Sequence, residues 1–150
     1  MKFNVFTSMT LVSMAFGNPI HANSAPTTTA PVAAEIGNMS EKDAEAFVAG
    51  LQKMLKVTDP KDIKEIPNTI ANNMVHYPLR WFKDANTKNA TMIKTPAEFV
   101  KNYSEIMSAK VIDAILNQDM KNLFINAQGC MIGNGQVWLD ERGIKTISNF

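Results

Sequence analysis

Three side chains in this sequence could transfer protons: His76, Asp113 and Tyr103. A histidine or a carboxylate acts as a general acid or base when its surroundings bring its pKa towards the working pH. His76 alternates with the apolar residues of a predicted strand, and Asp113 lies among apolar neighbours on a predicted helix. If the protein is an enzyme, we expect these three residues to supply its acid/base chemistry. The alternative is an exposed histidine and a solvated aspartate.

The sequence does not predict a metal site or a catalytic nucleophile. The chain has two histidines, His21 and His76, and one cysteine, Cys130. A zinc site of histidine and cysteine ligands needs more groups than these. The motifs H-E-x-x-H, C-x-x-C and G-x-S-x-G do not occur, and the glycines of residues 129–135 do not match a phosphate-binding loop. We therefore predict no metal site and no cofactor.

Five residues have the types that suit recognition of a ligand or a protein partner: Tyr77, Arg80, Trp81, Met131 and Trp138. Aromatic residues, methionine and arginine are enriched in protein interfaces. Arg80 could anchor an anionic ligand, or it could be a solvated residue at a sheet edge. For Tyr77 and Trp81, and for Tyr103, burial in the core is the alternative.

The segment around Asn134-Gly135 predicts a β-hairpin with a defined register. Asn-Gly is the strongest signal for a two-residue hairpin turn, because both turn positions favour a positive φ. Such a turn pairs residue 132 with 137, 131 with 138 and 130 with 139. One face of the hairpin is then wholly apolar and contains Cys130, Ile132, Val137 and Leu139. The other face carries Met131, Gln136, Trp138 and Asp140, a mixture that suits a contact surface.

Cys130 falls on the apolar face of this hairpin. We expect a small buried hydrophobe at this position. A reactive thiol or an intermolecular disulfide is the alternative.

Helices are predicted in the earlier part of the domain. Ser40 is a candidate N-cap for a helix that ends near residue 57, and Asp59-Pro60 begins a second helix that Pro67 interrupts. Thr95-Pro96 begins a third helix, and residues 110–117 continue as a short one. Between them, residues 75–82 alternate as a strand at a sheet edge or with a bulge, because Pro78 cannot donate a ladder hydrogen bond.

The remaining pattern is β: strands are expected at residues 123–127, in the hairpin and at residues 144–147. Helices therefore come first and an antiparallel meander comes last, which is typical of an α+β fold. We predict N-terminal helices packed against a curved antiparallel β-sheet, a cone-like or cystatin-like roll, in a single domain over residues 39–150.

This order of elements resembles exported bacterial members of the nuclear transport factor 2-like superfamily. The motifs that carry the resemblance are residues 77–80 (YPLR), 95–99 (TPAEF) and 129–138 (GCMIGNGQVW), followed by 144–147 (IKTI). The resemblance implies a cone-shaped fold with a cavity or a sheet-face interface. The superfamily includes enzymes, small-molecule binders, adaptors and dimerisation modules, so it implies no particular reaction.

The N-terminal residues predict export. Lys2 precedes an uncharged, mostly apolar run that Asn18-Pro19 ends, which is the layout of a signal peptide. We expect cleavage after Ala22, a flexible leader over residues 23–38, and a periplasmic or secreted protein. An uncleaved membrane anchor is the alternative, but the apolar run is shorter than the ~20 residues that cross a bilayer. We expect no membrane insertion of the mature chain.

The distribution of charged residues argues against nucleic acid as a partner. The chain has 15 basic residues, one of them Lys2, and 14 acidic residues, scattered without long runs. The basic stripe that a phosphate backbone requires is missing, so we predict no nucleic-acid binding.

Two functions from different classes follow from these observations. We favour an exported, non-catalytic binding module that recognises a protein or a small apolar or amphipathic molecule through its cavity mouth or sheet face. It could be an envelope immunity or accessory protein, or a homodimer through the sheet face. The alternative is a small lyase or isomerase with a cavity acid/base.

Overall fold

The computed structural model describes residues 39–85 and 88–150. The predicted signal peptide and leader, over residues 1–38, lie outside the described residues. In chain order the helices are α1 (Glu41–Leu55), α2 (Pro60–Asn73), α3 (Pro96–Lys101), α4 (Tyr103–Ile106) and α5 (Ala109–Leu116), with a 3₁₀ turn at Met120–Asn122. The strands are β1 (Val75–Phe82), β2 (Thr91–Ile93), β3 (Phe124–Asn126), β4 (Gly129–Ile132), β5 (Val137–Asp140) and β6 (Gly143–Ser148).

The helix starts follow the predicted caps. The Ser40 side chain accepts a hydrogen bond from the Asp43 amide, and the Asp59 side chain accepts one from the Lys61 amide. Thr95 caps α3 by accepting from the Glu98 amide. Each cap satisfies an amide that has no partner within its helix, which fixes where the helix begins.

Pro67 does not interrupt α2, contrary to the sequence prediction. The helix runs through Pro67 from Pro60 to Asn73. Its buried residues Ile66, Ile70 and Ala71 lie on both sides of the proline and pack in one core cluster. Burial of this continuous apolar stripe compensates for the hydrogen bond that proline cannot donate.

The six strands of the described residues form one curved, unclosed sheet in the order β2-β1-β6-β5-β4-β3. This confirms the predicted α+β fold. The sheet is mixed because β1 and β6 pair in parallel, whereas the other neighbours are antiparallel. β1 is therefore an interior strand, and of the two predicted arrangements for Pro78 the bulged one is correct: its pairing with β6 is irregular between Val75 and Arg80.

The hairpin register is as predicted. Cys130 pairs with Leu139, Met131 with Trp138 and Ile132 with Val137. The connection is longer than the predicted two-residue turn, because residues 133–136 all lie between the last paired residues, Ile132 and Val137. Gly135 in this turn has a φ of +101°. All four residues of the predicted apolar face are fully buried: Cys130, Ile132, Val137 and Leu139.

The core lies between the sheet and the helices. The inward residues of the sheet and the apolar faces of α1, α2, α3 and α5 form one cluster, which includes Leu79, Trp81, Phe99, Val111 and Ile147. The opposite side of the sheet carries the residues described next.

Candidate functional site

A row of six residues, one from each strand, crosses the outer side of the sheet. The strand pairings place them in the order Met92, Arg80, Thr146, Trp138, Met131 and Phe124. We call this set the cross-strand row. Because paired residues of neighbouring strands point to the same side of a sheet, the six side chains form a continuous surface.

Exposure separates this surface from the core side. Met92 is 41% exposed and Phe124 is 51% exposed, and they lie on the two edge strands. Arg80 is exposed, and the other three members of the row are half-buried. Their inward neighbours are buried, among them Leu79 at 0% and Trp81 at 2%. We call the side of the sheet that carries the row the open face.

The apolar half of the row is centred on Trp138. The Phe124 and Trp138 rings meet edge to face, with centroids 6.4 Å apart and planes at 87°. Met131 pairs with both of them across the strands. This geometry is a favourable one for aromatic side chains, and it holds the indole in a defined orientation on the surface.

Beside Trp138 lies a groove of about 310 Å³ with two cations in its wall. The groove is lined by Arg80, Gln128, Trp138, Lys145 and Thr146. The Lys145 ammonium donates a hydrogen bond to the backbone carbonyl of Gln128. The Arg80 guanidinium carbon lies 5.4 Å from the centre of the Phe82 ring, within the range of a cation–π contact. The groove thus combines positive charge with an aromatic wall.

A β-bulge in β6 explains why two consecutive residues line this groove. Leu139 pairs with Ile144, but Trp138 pairs with Thr146, so Lys145 is an extra residue in the ladder. A bulge of this kind bends the strand and redirects side chains. It allows Ile144 and Ile147 both to be fully buried, although they are three residues apart.

At one end of the sheet, His76 contacts a buried carboxylate. His76 Nδ1 lies 3.2 Å from Asp140 Oδ2. Asp140 is 7% exposed and also accepts a hydrogen bond of 2.9 Å from the Arg142 amide. The Arg142 guanidinium lies 3.4 Å from Asp140 Oδ2. These contacts tie the β5–β6 turn to the start of β1.

The surroundings of Asp140 act on its pKa in opposite directions. Burial alone would raise the pKa of this carboxyl. The hydrogen bond from the Arg142 amide and the charges of His76 and Arg142 outweigh burial and lower the pKa below its ordinary value. Asp140 is therefore ionised at neutral pH.

The structure does not bring the three predicted acid/base residues together. His76 contacts Asp140, whereas Asp113 is exposed on α5 at a polar groove of about 440 Å³. Tyr103 packs edge to face against Phe99 at 5.9 Å, and burial raises its pKa. Within residues 39–85 and 88–150, no hydrogen bond or ion pair joins any two of the three.

The five predicted recognition residues divide between the two sides of the sheet. Arg80, Met131 and Trp138 all belong to the cross-strand row. Trp81 is in the core, which corrects its assignment to a binding surface. Tyr77 packs against the core, its hydroxyl donates to the Ala71 carbonyl at 2.9 Å, and burial raises its pKa to about 12.

Three residues of this surface, Lys145, Met92 and Phe124, were not predicted from the sequence. Met92 and Phe124 lie on short edge strands of three residues, which show too little alternation to assign a face. Lys145 depends on the bulge. The sequence does contain a signal for this bulge, because Ile144 and Ile147 can both face the core only if one residue between them is bulged.

The described part of the chain lacks two other kinds of feature. It contains no group of three or more His, Cys, Asp or Glu side chains placed to hold a metal ion. No helix within it is long and apolar enough to span a membrane. Comparison with protein-family models, with curated proteins and with solved structures found no match to this chain.

Proposed function

We propose that this protein is a non-catalytic binding module that recognises a protein partner through the open face of its sheet. The observation that carries the proposal is the cross-strand row, in which Trp138 and Met131 lie half-exposed between two exposed apolar residues on the edge strands, Met92 and Phe124. Aromatic residues and methionine on an accessible surface are typical of protein interfaces.

The dimensions of the row favour a protein over a small molecule. Six neighbouring strands at ~4.8 Å spacing extend over roughly 24 Å, the length of about seven residues of extended peptide. The groove beside Trp138, of about 310 Å³, accommodates only a small part of such a surface. A partner that covers the row must therefore contact several strands at once.

The resemblance to the nuclear transport factor 2-like superfamily supports this proposal, because that resemblance implies a sheet-face interface or a cavity. Export, which rests on residues 1–22, is part of the proposal. It would place the partner in the periplasm or outside the cell, where an envelope immunity or accessory protein acts.

The lyase or isomerase hypothesis keeps one supporting observation, the contact of 3.2 Å between His76 and Asp140. A carboxylate that orients an imidazole is a common arrangement in general acid/base catalysis. The backbone amide and the guanidinium of Arg142 nevertheless both donate hydrogen bonds to Asp140. These contacts suit a structural role in the β5–β6 turn, so we place the enzyme second.

Site-specific photo-crosslinking in cells that make the protein tests the proposed function. A photoreactive phenylalanine analogue replaces Met92 at one edge of the row, or Lys42 on the exposed side of α1 as the control. We expect a discrete crosslinked species from position 92 and none from position 42.

The same experiment can contradict the proposal. The crosslink from position 92 should disappear when Trp138→Ala is added, provided that circular dichroism shows a folded protein. Equal crosslinking from both positions, or a crosslink that persists without Trp138, would show that the open face is not the recognition surface.

A further inference from the structure

The charges on the sheet are unbalanced. The six strands contain two basic residues, Arg80 and Lys145, and one acidic residue, Asp140. Asp140 is buried and is held by His76 and Arg142. Within the described residues, neither Arg80 nor Lys145 forms a salt bridge. The accessible charge of the open face is therefore positive.

Both cations lie next to the aromatic centre of the row. Arg80 and Lys145 line the same groove as Trp138. In the cross-strand row, Trp138 is followed by Met131 and then Phe124 on the neighbouring strands. A complementary ligand therefore needs a negative charge at the groove and apolar side chains beside it. Oppositely charged groups at such a surface give specificity and faster association.

We propose that the open face binds a peptide segment in which acidic residues lie next to aromatic or aliphatic residues. A carboxylate of the segment pairs with Arg80 and Lys145, and an adjacent apolar side chain packs on Trp138 and Met131. This inference rests on the proposed function and specifies the chemistry of the partner. An arginine is well suited to this role because its planar guanidinium can bind a carboxylate with two hydrogen bonds.

The same charges argue against a second copy of this chain as the occupant. In a symmetric dimer the same patch lies on both subunits. The open face offers Arg80 and Lys145 but no accessible carboxylate within its strands. Two such faces would bring cations together without the acidic groups that could neutralise them.

Three fluorescein-labelled peptide libraries test the inference against the full chain. Each library contains nine-residue peptides in which leucine or phenylalanine alternates with one polar type: glutamate, lysine or glutamine. Fluorescence anisotropy measures binding at low salt. We expect the glutamate library to bind at least about tenfold more tightly than the other two, a difference of roughly 1.4 kcal/mol.

Substitutions in the chain test whether Arg80 and Lys145 cause the preference for the glutamate library. Arg80→Gln and Lys145→Gln should each weaken binding of the glutamate library by about fivefold to tenfold. Lys64→Gln on the exposed side of α2 is the control with the same change of charge, and it should leave binding unchanged. Rising sodium chloride should weaken binding to the wild type more than to Arg80→Gln.

Three contrary outcomes are distinguishable. If all three libraries bind equally and only Trp138→Ala weakens them, the acidic chemistry is wrong but the open face still binds protein. If no library binds, and sedimentation equilibrium shows a dimer that Met131→Lys dissociates, the occupant is a second copy and the inference is overturned. Selective binding to vesicles of phosphatidylglycerol, without binding to the glutamate library, would overturn it in favour of a lipid surface.

Discussion

Phe124 and Trp138 meet edge to face on the open side of the sheet, with ring centroids 6.4 Å apart. Phe124 is 51% exposed and Trp138 is half-buried, although each is paired with Met131 in the sheet. The pair therefore presents an oriented aromatic surface to solvent next to two cations. Recognition of a partner through the open face depends on this surface.

Trp138→Ala should weaken binding of the glutamate library more than any other single change in the cross-strand row. Truncation of a tryptophan at the centre of an interface can cost about 2 kcal/mol, roughly thirtyfold in affinity. Binding is measured by fluorescence anisotropy after the thermal midpoint confirms a folded protein. His76→Ala is the comparison and should change affinity by less than about twofold, because His76 is engaged by Asp140 at 3.2 Å.

A reverse order of effects would overturn this account. If His76→Ala abolishes the activity of the protein while the fold is retained, the acid/base enzyme replaces the binding module.

Asp140→Asn should destabilise the protein at neutral pH by about 1–3 kcal/mol, because it removes a buried charge with several partners. The folded state lowers the pKa of Asp140 below its ordinary value of 3.8. Its stabilising effect is therefore present above pH ~4 and is lost as the pH falls through the folded pKa. Urea unfolding should show a difference between wild type and variant that shrinks between about pH 5 and about pH 2.

Asp113→Asn is the matched control, since Asp113 is exposed on α5. We expect its unfolding free energy at neutral pH to lie within about 0.5 kcal/mol of that of the wild type, because it is a surface substitution. A pH-independent effect of Asp140→Asn would mean that loss of packing, and not loss of the ionised carboxylate, causes the destabilisation.

Glycine substitutions test the hairpin. Gly135 has a φ of +101°, and an added Cβ would meet no atom closer than 3.9 Å, so strain in the backbone is the expected cost. Gly135→Val should lower the free energy of unfolding by about 1–3 kcal/mol. Gly50 in α1 has open space around it, and Gly50→Ala should stabilise the protein by about 0.5–1 kcal/mol. Unchanged stability of Gly135→Val in chemical denaturation would contradict the observed turn.

Cys130 should react slowly with a maleimide in the native state. Its side chain is fully buried, and burial raises its pKa to about 11, so both access and the thiolate are suppressed. Met92→Cys in a Cys130→Ala background is the control, because position 92 is 41% exposed in the wild type. Mass spectrometry during labelling should show rapid modification at position 92 and slow modification at 130. Similar rates would place Cys130 on an accessible face.

Local signals were enough to predict much of the fold. Ser40, Asp59 and Thr95 cap helices as their side chains imply, and Asn134-Gly135 sets the hairpin register. These features depend on residues that are close in sequence. The apolar face of the hairpin follows from the same register, because strand side chains alternate between the two faces.

Features that depend on distant residues were not predictable in this way. Val75 pairs with Ile144 in a parallel ladder, and His76 contacts Asp140 across 64 residues of sequence. The same long-range packing keeps α2 helical through Pro67. Neither periodicity nor capping contains information about such pairings, so the sequence identified Arg80 and Trp138 separately without showing that they line one groove.

The most direct test of the open face uses the two tryptophans of the chain as reporter and control. Trp138 lies on the open face, and Trp81 is 2% exposed in the core. In ¹⁵N-labelled protein their indole N–H groups give two NMR signals, which Trp138→Phe assigns. When a nine-residue peptide from the glutamate library is added, we predict that the Trp138 signal shifts in a saturable manner while the Trp81 signal stays in place. Peptide binding that leaves the Trp138 signal unchanged, or that shifts only Trp81, would contradict recognition through the open face.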